Sequence, residues 1–315
     1  MKKCSIILVA YFGDAWLPKC LESLKEASTS TLHLVLVDNS GNEGLKRLNR
    51  SSFHNEDHNT PRPLGFAEAN NYSLANLKEW HEYTLFLNQD TVSQPEWIDR
   101  CLSALESNPE LAAISPLIRN YDDTGWDPSF LDCLSPEQQK LLECRGQLPP
   151  VLFTEHAPAP ALIVRSSVLQ TIGPFDPIYG SYYEDYDLCA RIAKTGAHIG
   201  FCSRARIQHF SGSATTDESR RAKRMRQIIR NRNIYKIRYD SGSRIINFFR
   251  LLVADFPKRI TRSVLQTPSS QPTRIVLTAY LDLIKISPRL LSSKRDRKQF
   301  KKYLESISWN NKVNP

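Results

Sequence analysis

Long apolar runs are scarce in this chain of 315 residues, of which 41% are hydrophobic and 24% are charged. No stretch approaches the roughly 20 consecutive apolar residues that a membrane-spanning helix requires. The composition therefore excludes a multi-span membrane protein. It also excludes a disordered or collagen-like chain, because enough apolar side chains are present to form a core.

Paired cysteines are missing too, since none of the seven cysteines forms a CxxC pair. This pattern predicts reduced thiols in a cytosolic protein and disfavours a disulfide framework or a zinc site. Lys2 and Lys3 before the apolar run Cys4–Phe12 resemble a secretory signal. The run is short and has no small-residue cleavage site behind it, so we expect a first buried strand instead of a signal.

The sequence has neither a GxGxxG nor a GxxxxGK[ST] glycine loop. The first absence argues against the usual nicotinamide-binding Rossmann domain, and the second against a P-loop. Any phosphate group must therefore be bound by other means.

Charge is distributed unevenly along the chain. Residues 1–211 carry 18 basic and 26 acidic side chains, a net charge of −8, whereas residues 212–315 carry 24 and 7, a net charge of +17. The basic segment predicts an anionic partner. Segments Arg244–Arg259 and Ile275–Leu291 have the composition of interfacial helices, and the alternative is that both pack on the main body. We expect no nucleic-acid binding, because no helix-turn-helix, zinc-finger or RNP pattern accompanies the charge.

The first two-thirds of the chain alternates short β-rich runs with helical stretches, which predicts an α/β fold with largely parallel strands. The predicted strands are Ser5–Tyr11, Leu32–Val37, Tyr83–Leu87, Ala112–Leu117, Ala161–Arg165 and Ala197–Phe201. The predicted helices are Pro18–Ala27, Ala67–Leu77, Pro95–Ser107 and Glu184–Lys194. Residues 51–65 are expected to form a loop, and residues 121–150 a loop or an acceptor-side insertion.

Two of these strands end in acidic loops, at Asp38 and Asp90. Ligands of open α/β sheets bind beyond the carboxyl ends of the strands, so both carboxylates are candidates for one cleft. The simpler alternative is that each is only a turn former or a helix cap.

Several ordered segments together resemble the inverting family 2 glycosyltransferases of the GT-A fold, particularly their bacterial rhamnosyltransferase-like branch. The matching segments are Ser5-Ile-Ile-Leu-Val-Ala-Tyr11, Cys20-Leu-Glu-Ser-Leu24, Leu36-Val-Asp-Asn-Ser40, Gly65-Phe-Ala-Glu-Ala-Asn-Asn71, Leu85-Phe-Leu-Asn-Gln-Asp-Thr91, Gly173-Pro-Phe-Asp176, Glu184-Asp-Tyr-Asp-Leu-Cys-Ala-Arg191 and His209. The resemblance covers about residues 4–212. It implies a GT-A catalytic domain over residues 1–212, with a mixed, mainly parallel, Rossmann-like sheet between helices. Residues 213–315 are then a basic, amphipathic helical C-terminal region.

This resemblance implies a nucleotide-sugar donor and a divalent cation, Mg²⁺ or Mn²⁺, beside its diphosphate. Asn88-Gln89-Asp90 stands at the family's DxD position, so Asp90 is expected to be the principal metal carboxylate. Asn88 replaces the first carboxylate and is expected to contribute an oxygen or a hydrogen bond. His209 matches a late histidine that contacts metal or diphosphate, although a single histidine is more often structural.

The resemblance also implies which residues bind the nucleotide. Asp38 matches a carboxylate that binds the base or ribose, with the backbone of Ala10 and Tyr11 as the opposite wall. Its structural alternative is turn capping.

Gly65, Phe66 and Asn70 match a segment that lines the nucleotide and sugar side. The pattern is broken at Pro63, where the family commonly has Asn, and at Phe12-Gly13 after Tyr11. Donor contacts at those two places are therefore not carried over.

Glu184-Asp185 is the expected catalytic pair. An inverting transfer is a single displacement that needs one carboxylate base, and the resemblance favours Asp185, with Glu184 placing the acceptor or maintaining the loop. The alternative is that both acids favour a helix N-terminus.

Asp187 and Arg191 are expected to form an ordinary i,i+4 ion pair. His54 and His58 lack the HExxH order, so we expect them to lie in a solvated loop.

The basic stretch Arg220–Arg232 resembles the family's basic helix after the catalytic domain. It is expected to touch donor diphosphate, a lipid-linked acceptor phosphate or headgroups, and a solvated helix is the alternative.

The expected function is transfer of L-rhamnose from dTDP-rhamnose to a hydroxyl of a cell-envelope polysaccharide or lipid-linked glycan. A UDP-sugar carrying galactose or N-acetylhexosamine is the alternative donor. Alternatives of other classes are a nucleotidyltransferase and a non-catalytic membrane or nucleic-acid adaptor. The expected location is cytoplasmic, peripheral on the inner face of the cytoplasmic membrane through an anionic lipid surface.

Overall fold

A computed structural model describes residues 4–13, 15–30, 32–40, 54–143, 148–210, 217–266 and 271–309. The N-terminal strands are β1 (Cys4–Ala10), β2 (Leu32–Asp38), β3 (His54–Asn59), β4 (Tyr83–Asn88) and β5 (Thr91–Ser93), and they are followed by β6 (Leu111–Asn120), β7 (Val151–Thr154), β8 (Ala161–Arg165) and β9 (His198–His209). The helices between them are α1 (Leu17–Leu24), α2 (Phe66–Asn76), α3 (Trp97–Ser107), α4 (Pro128–Leu131), α5 (Pro136–Glu143), α6 (Ser166–Ile172) and α7 (Glu184–Ala193).

The described strands form one mixed sheet in the order β3-β2-β1-β4-β8-β6-β9-β5, with β7 paired to β9. Strands β3, β2, β1 and β4 run parallel, as do β6 and β9, while β8 is antiparallel to both of its neighbours. Almost every side chain of β1 and β4 is buried, since both faces of these central strands are covered. The predicted α/β sheet is therefore confirmed, and the early apolar run is a central strand.

Two predicted loops are ordered elements. Residues 54–59 form edge strand β3, which pairs with β2, although its sequence HNEDHN has no strand-like alternation. His58 is not solvated: its Nδ1 lies 3.0 Å from Ser73 Oγ and its Nε2 lies 3.1 Å from Oε2 of buried Glu56. The expected solvated loop is thus wrong, because pairing with a neighbouring strand outweighs local propensity. In the second loop, α4 and α5 lie within residues 121–150, and β7 begins directly after them at Val151.

The last predicted strand is longer than its sequence pattern suggests. Strand β9 continues to His209 and pairs with β6 on one side and with β5 on the other. A register shift beyond Pro116 lets the strand continue past an irregularity. The extension matters because it places His209 directly opposite Thr91, the residue after Asp90.

The C-terminal region is helical. It comprises α8 (Glu218–Tyr239), α9 (Arg244–Arg250), a π-helical turn (Leu251–Asp255), α10 (Phe256–Gln266), α11 (Gln271–Leu290) and α12 (Ser293–Ser306). No helix in the described ranges has the length and apolarity to cross a bilayer. The last described residue, Trp309, is buried in the main core and contacts Trp80 edge to face at 5.4 Å. The region therefore packs on the body over part of its surface.

One buried cluster of charges joins this region to the sheet domain. We call Arg238, Asp176, Asp187 and Asp296 the Arg238 cluster; Arg238 is 6% exposed, and each aspartate is at most 4% exposed. Arg238 donates to Asp176 at 2.8 Å, to Asp187 at 2.9 Å and to Asp296 at 2.7 and 2.9 Å. The cluster therefore ties α8 to the start of α7 and to α12.

A second arginine, Arg191, also pairs with a carboxylate of the Arg238 cluster. Arg191 donates to Asp187 at 2.8 Å, which confirms the expected i,i+4 pair, and it also donates to three carbonyls of residues 172–174. Burial alone would raise the pKa of Asp187, but the charges of Arg191 and Arg238 hold it below its usual value. Sequence reasoning found only this local pair, because Arg238 lies 51 residues from Asp187 in the chain.

Replacing Arg238 with methionine should destabilise the protein by about 3–5 kcal/mol, because three buried carboxylates lose their shared cation. Arg226→Met on the same helix is the matched control, because the ion pair that it breaks is much less buried. The Arg226 side chain is 46% exposed, and its partner Asp282 is 22% exposed. That control should cost about 1 kcal/mol or less. Urea denaturation measures both, and equal losses for the two variants would contradict the prediction.

Candidate active site

The site lies beyond the carboxyl ends of three parallel strands. Ala10 ends β1, Asp38 ends β2 and Asn88 ends β4, and the register pairs Ala10 with Asp38 and Val9 with Asn88. The backbone N–H of Asn39 donates to the Ala10 carbonyl at 2.8 Å. The fold thus brings together the predicted nucleotide-side residues, as the parallel arrangement requires.

Asp38 is only 4% exposed, and its Oδ1 accepts from the Ser40 backbone at 2.8 Å. This contact is the turn-forming alternative that the sequence left open. The next residue, Asn39, was missed by sequence reasoning. Its side chain accepts from Leu64 N at 2.8 Å and donates to Leu64 O at 3.0 Å, so it attaches the Leu64-Gly65 turn to the end of β2.

Gly65 has a structural reason to be glycine. A Cβ there would come within 2.8 Å of the Gly180 carbonyl oxygen, so the close approach is to the chain's own backbone. Phe66 N donates to Ser181 Oγ at 3.0 Å. These contacts hold the segment 65–66 beside the residues that lead into α7.

Asn70 lies one turn further along α2 and is 1% exposed. Its Nδ2 donates to Phe66 O at 2.9 Å, whereas its Oδ1 is buried with no hydrogen-bond partner among the described residues. A buried amide oxygen without a partner is costly, so it marks a place for a donor group from a ligand or water.

Gln89 joins the β1 and β4 loops. Its side-chain amide donates to Tyr11 O and accepts from Tyr11 N, both at 2.9 Å, while the Tyr11 ring is 48% exposed. Asn88 N donates to the Pro160 carbonyl at 2.9 Å and Asn88 O accepts from the Thr91 hydroxyl at 2.8 Å. The middle residue of Asn88-Gln89-Asp90 therefore has a positioning role that the sequence motif did not reveal.

Asp90 and His209 meet as predicted. Asp90 Oδ1 lies 3.5 Å from His209 Nε2, and the second ring nitrogen, Nδ1, lies 3.1 Å from Oδ2 of Asp127. Asp127 is fully buried, and its backbone N–H bonds the Ile118 carbonyl where β6 runs beside β9. Sequence reasoning missed Asp127 because it lies in the segment assigned to an irregular loop.

The two carboxylates govern the charge of His209. Burial lowers the pKa of His209, but the hydrogen bonds and negative charges of Asp127 and Asp90 outweigh it and raise the pKa to about 9. The imidazole is therefore held between two anions, with Nε2 directed at Asp90. A histidine whose second nitrogen is fixed by a carboxylate is the usual arrangement of a metal ligand.

The Asp90–His209 pair fits a divalent cation of the Mn²⁺ or Mg²⁺ type, which accepts a carboxylate oxygen and, for Mn²⁺, an imidazole. Within the described residues, no group of three histidine, cysteine or acidic side chains could hold a metal. A cation bound here would therefore need further ligands from a substrate, and phosphate oxygens are the usual ones.

Glu184 and Asp185 begin α7 after two residues with left-handed backbone, Tyr182 (φ 71°) and Tyr183 (φ 70°). Such conformations are strained for tyrosine and persist only where surrounding contacts enforce them. Burial raises the pKa of Tyr182, and among its electrostatic neighbours are both Glu184 and Asp90. Glu184 of α7 and Asp90 of the loop after β4 thus both act on the charge of this phenol.

The two acids of this pair have opposite environments. Glu184 is 6% exposed and its Oε2 has no hydrogen-bond partner among the described residues, so burial and then the charge of Asp185 raise its pKa well above the usual range. For Asp185 burial acts upward, but His156 and the N–H groups of Tyr186 and Ala159 lower its pKa. Glu184 is therefore the weaker acid of the pair and Asp185 the stronger one.

His156 is a further residue that sequence reasoning missed. Its Nε2 lies 3.5 Å from Asp185 Oδ2, and its ring stacks on Tyr186 at 3.4 Å. Tyr186 in turn stacks on Tyr183 at 4.7 Å, and Tyr235 of α8 contacts both tyrosines. Because these residues come from distant parts of the chain, no sequence spacing could show that they form one aromatic wall beside Asp185.

Comparison with known proteins agrees with this geometry. Residues 5–154 match the family model of glycosyl transferase family 2. The chain is 25% identical over 236 residues to N-acetylglucosaminyl-diphospho-decaprenol L-rhamnosyltransferase of Mycobacterium tuberculosis, covering 67% of this chain and 76% of that protein. It is 22% identical over 220 residues to rhamnosyltransferase WbbL of Escherichia coli, covering 65% of this chain and 83% of the relative.

A solved structure shares the fold. The mannosyltransferase PcManGT from Pyrobaculum calidifontis, solved with GDP-Man and Mn²⁺, superposes with a TM-score of 0.58 over 98% of this chain and 85% of that one. The two sequences are 13% identical, so this similarity establishes the GT-A fold and not the substrate.

Asp127→Asn should weaken Mn²⁺-dependent binding of a nucleoside diphosphate by about 10- to 100-fold, because the neutral amide no longer fixes and polarises His209. Titration calorimetry with UDP or dTDP, with and without Mn²⁺, measures the change. Ser129→Ala is the matched control, since Ser129 donates to the other oxygen of the same carboxylate. Unchanged affinity in Asp127→Asn would show that the Asp127–His209 contact serves folding alone.

Proposed function

We propose that this chain, whose residues 5–154 match the family model of glycosyl transferase family 2, is an inverting, cation-dependent hexosyltransferase that uses a nucleotide-diphosphate sugar. The observation that carries the proposal is that Asp185 Oδ2 accepts from Ala159 N at 3.3 Å, while the next carbonyl, Pro160 O, accepts from Asn88 N at 2.9 Å at the start of the loop that holds Asp90. A base and a cation pair in one cleft are the two parts that a single displacement needs.

In the proposed reaction, Asp185 accepts the proton of the acceptor hydroxyl as that oxygen bonds to the anomeric carbon. The bond from this carbon to the diphosphate oxygen breaks, and the nucleoside diphosphate leaves with the electron pair. A divalent cation held by Asp90 and His209 would stabilise the negative charge that develops on the leaving group. Attack opposite the leaving group inverts the anomeric configuration.

The remaining residues bind and orient the donor in this proposal. Asp38 and the backbone of Ala10 and Tyr11 hold the nucleoside, and Asn88 contributes to the diphosphate side. Asn70 Oδ1, which is buried without a partner among the described residues, would accept a hydrogen bond from a sugar hydroxyl or an ordered water. Glu184, whose pKa is raised, would in its protonated form donate a hydrogen bond to the acceptor or hold the loop.

The proposed donor is dTDP-rhamnose, and the proposed acceptor is a hydroxyl of a lipid-linked cell-envelope glycan. The support is that two relatives carry rhamnosyltransferase names, one of which specifies a diphospho-decaprenol acceptor. UDP-galactose and UDP-N-acetylhexosamines are the alternative donors, because the motifs of this family do not specify the sugar.

Asp185→Asn should lower transfer from dTDP-rhamnose by about 10²- to 10⁴-fold, because the acceptor loses its base. Glu184→Gln should keep most of the activity, since glutamine resembles the protonated acid. Activity is measured as the release of dTDP in the presence of a synthetic prenyl-diphospho-sugar acceptor, with UDP-sugars tested as parallel donors. NMR of the product then gives its anomeric configuration.

Nucleotide binding is the control in both variants, and it should be unchanged. Near-normal turnover by Asp185→Asn would show that this residue is not the base. A retained anomeric configuration would contradict single displacement, and selective use of a UDP-sugar would contradict the rhamnose assignment while leaving the mechanism intact.

We also propose that the C-terminal region attaches the enzyme to an anionic membrane face. Ile245, Ile246, Phe249 and Val253 on α9 and the π-helical turn are 53, 55, 56 and 74% exposed. The same stretch buries Phe248 and Leu251 against the body, so one face packs while the other stays open. With a net charge of +17 over residues 212–315, this open apolar face has the character of an interfacial anchor.

Phe249→Ser combined with Val253→Ser should weaken binding to phosphatidylglycerol vesicles by about tenfold or more, because two apolar side chains no longer enter the interface. Co-sedimentation at low and high salt provides the measurement. Leu141→Ser with Phe153→Ser, which removes side chains 44 and 46% exposed on the catalytic body, is the matched control. Equal binding by wild type and the α9 double variant would refute this anchor.

A further inference from the structure

A cationic cleft lies in the C-terminal region, apart from the donor residues. It measures about 470 Å³ and is bounded by α8, α10 and α11. Its lining combines three basic side chains, Lys258, Arg259 and Arg262, with the single acid Asp255. Met225, Pro272 and Val276 supply an apolar part of the same wall.

The charges of this cleft are not internally balanced. Asp255 Oδ2 already accepts from Arg259 at 2.7 Å and from the Tyr280 hydroxyl at 2.7 Å, and Arg232 Nη1 lies 3.6 Å from it. Lys258 and Arg262 have no carboxylate partner within 4.0 Å in the part of the chain that the structure describes. Two cations therefore line the cleft without a carboxylate counter-ion among the described residues.

Arg232 adds another cation beside Asp255. Its Nη1 is buried and lies at ion-pair distance, 3.6 Å, from Asp255 Oδ2, but it makes no hydrogen bond within the described residues. A buried guanidinium N–H without an acceptor is costly, and phosphate oxygens are among the strongest acceptors for it.

The cleft is connected to the aromatic wall beside Asp185. The Tyr183 ring contacts Tyr235 of α8 at 6.0 Å. Arg232, one turn earlier on α8, has its Nη1 3.6 Å from Oδ2 of Asp255, which lines the cleft. Burial raises the pKa of Tyr183, and the nearby charges of Arg232 and Arg259 act in the opposite direction. Tyr183 thus lies between Tyr186 of the aromatic wall and the helix that carries Arg232.

We infer that this cleft binds the diphosphate of a prenyl-diphosphate-linked acceptor, with the sugar hydroxyl extending past Tyr183 to Asp185. The inference rests on the proposed function and adds the location of the acceptor. Cations beside apolar side chains suit a ligand whose anionic diphosphate adjoins a hydrocarbon chain. The prenyl chain would leave toward Val253 of the π-helical turn and Val264 of α10, which are 74 and 59% exposed.

The test uses farnesyl diphosphate, a short soluble prenyl diphosphate, with the full chain and no membrane. Titration calorimetry in EDTA removes the cation that could otherwise recruit the ligand to Asp90 and His209. Wild type should bind, and Lys258→Ala with Arg262→Ala should weaken binding by about tenfold or more. Lys298→Ala with Lys302→Ala, which removes two exposed cations from α12, should leave it unchanged.

The ligand comparisons distinguish the possible sources of the phosphate. Competition by inorganic pyrophosphate and much weaker binding of farnesol would support a diphosphate site. Equal affinity for farnesol, or for dihexanoyl phosphatidylglycerol, would overturn the inference in favour of an apolar or general headgroup surface. Equal binding of farnesyl diphosphate by wild type and the cleft variant would overturn it as well.

Nucleotide binding in the same preparations separates this inference from the proposed function. If wild type binds dTDP or UDP with Mn²⁺ but does not bind farnesyl diphosphate, the acceptor inference alone fails. If wild type binds no nucleotide either, both the proposed function and the acceptor inference fail.

Discussion

The arrangement of the active site depends on the buried ion cluster around Arg238. A guanidinium that is 6% exposed bridges three aspartates from three parts of the chain. Removing charges from water is expensive, so such a cluster is stable only when every oxygen and N–H is paired. Because Asp187 belongs to the first turn of α7, the cluster determines where Glu184 and Asp185 stand relative to the sheet. The basic C-terminal helices are therefore part of the catalytic domain's support.

The same principle, a buried charge held by a partner, applies to the Asp90–His209 pair. Asp127 fixes one nitrogen of His209 so that the other faces Asp90. Glu184 and Asp185 show the converse, because adjacent acids in one buried turn cannot both ionise at low cost, and local hydrogen bonds decide which does. Pairing thus determines the geometry of the cleft and makes Asp185 a stronger acid than Glu184.

Local pattern in the sequence was sufficient for much of the fold. The apolar runs of β1, β2 and β4, each followed by polar residues, predicted the parallel strands and the edge where Asp38 and Asp90 lie. Strand β3 could not be predicted this way, because its polar sequence HNEDHN pairs through the backbone with β2. Similarly, the segment 121–150 looked irregular, yet it supplies Asp127, whose role depends on contact with His209, 82 residues away.

The sequence by itself determined the kind of chemistry: the order of its motifs identified the family resemblance, and the strand ends supplied the candidate carboxylates. It also showed the basic C-terminal third, since charge is a property of composition. Only the tertiary structure decided which groups are partners. The structure joins residues that are far apart in the chain: Arg238 with its three aspartates, and His156 with Asp185. The cleft that holds Lys258 and Arg262 is likewise built from separate helices. Burial and distance set the pKa and pairing of these groups, and neither is encoded in local sequence pattern.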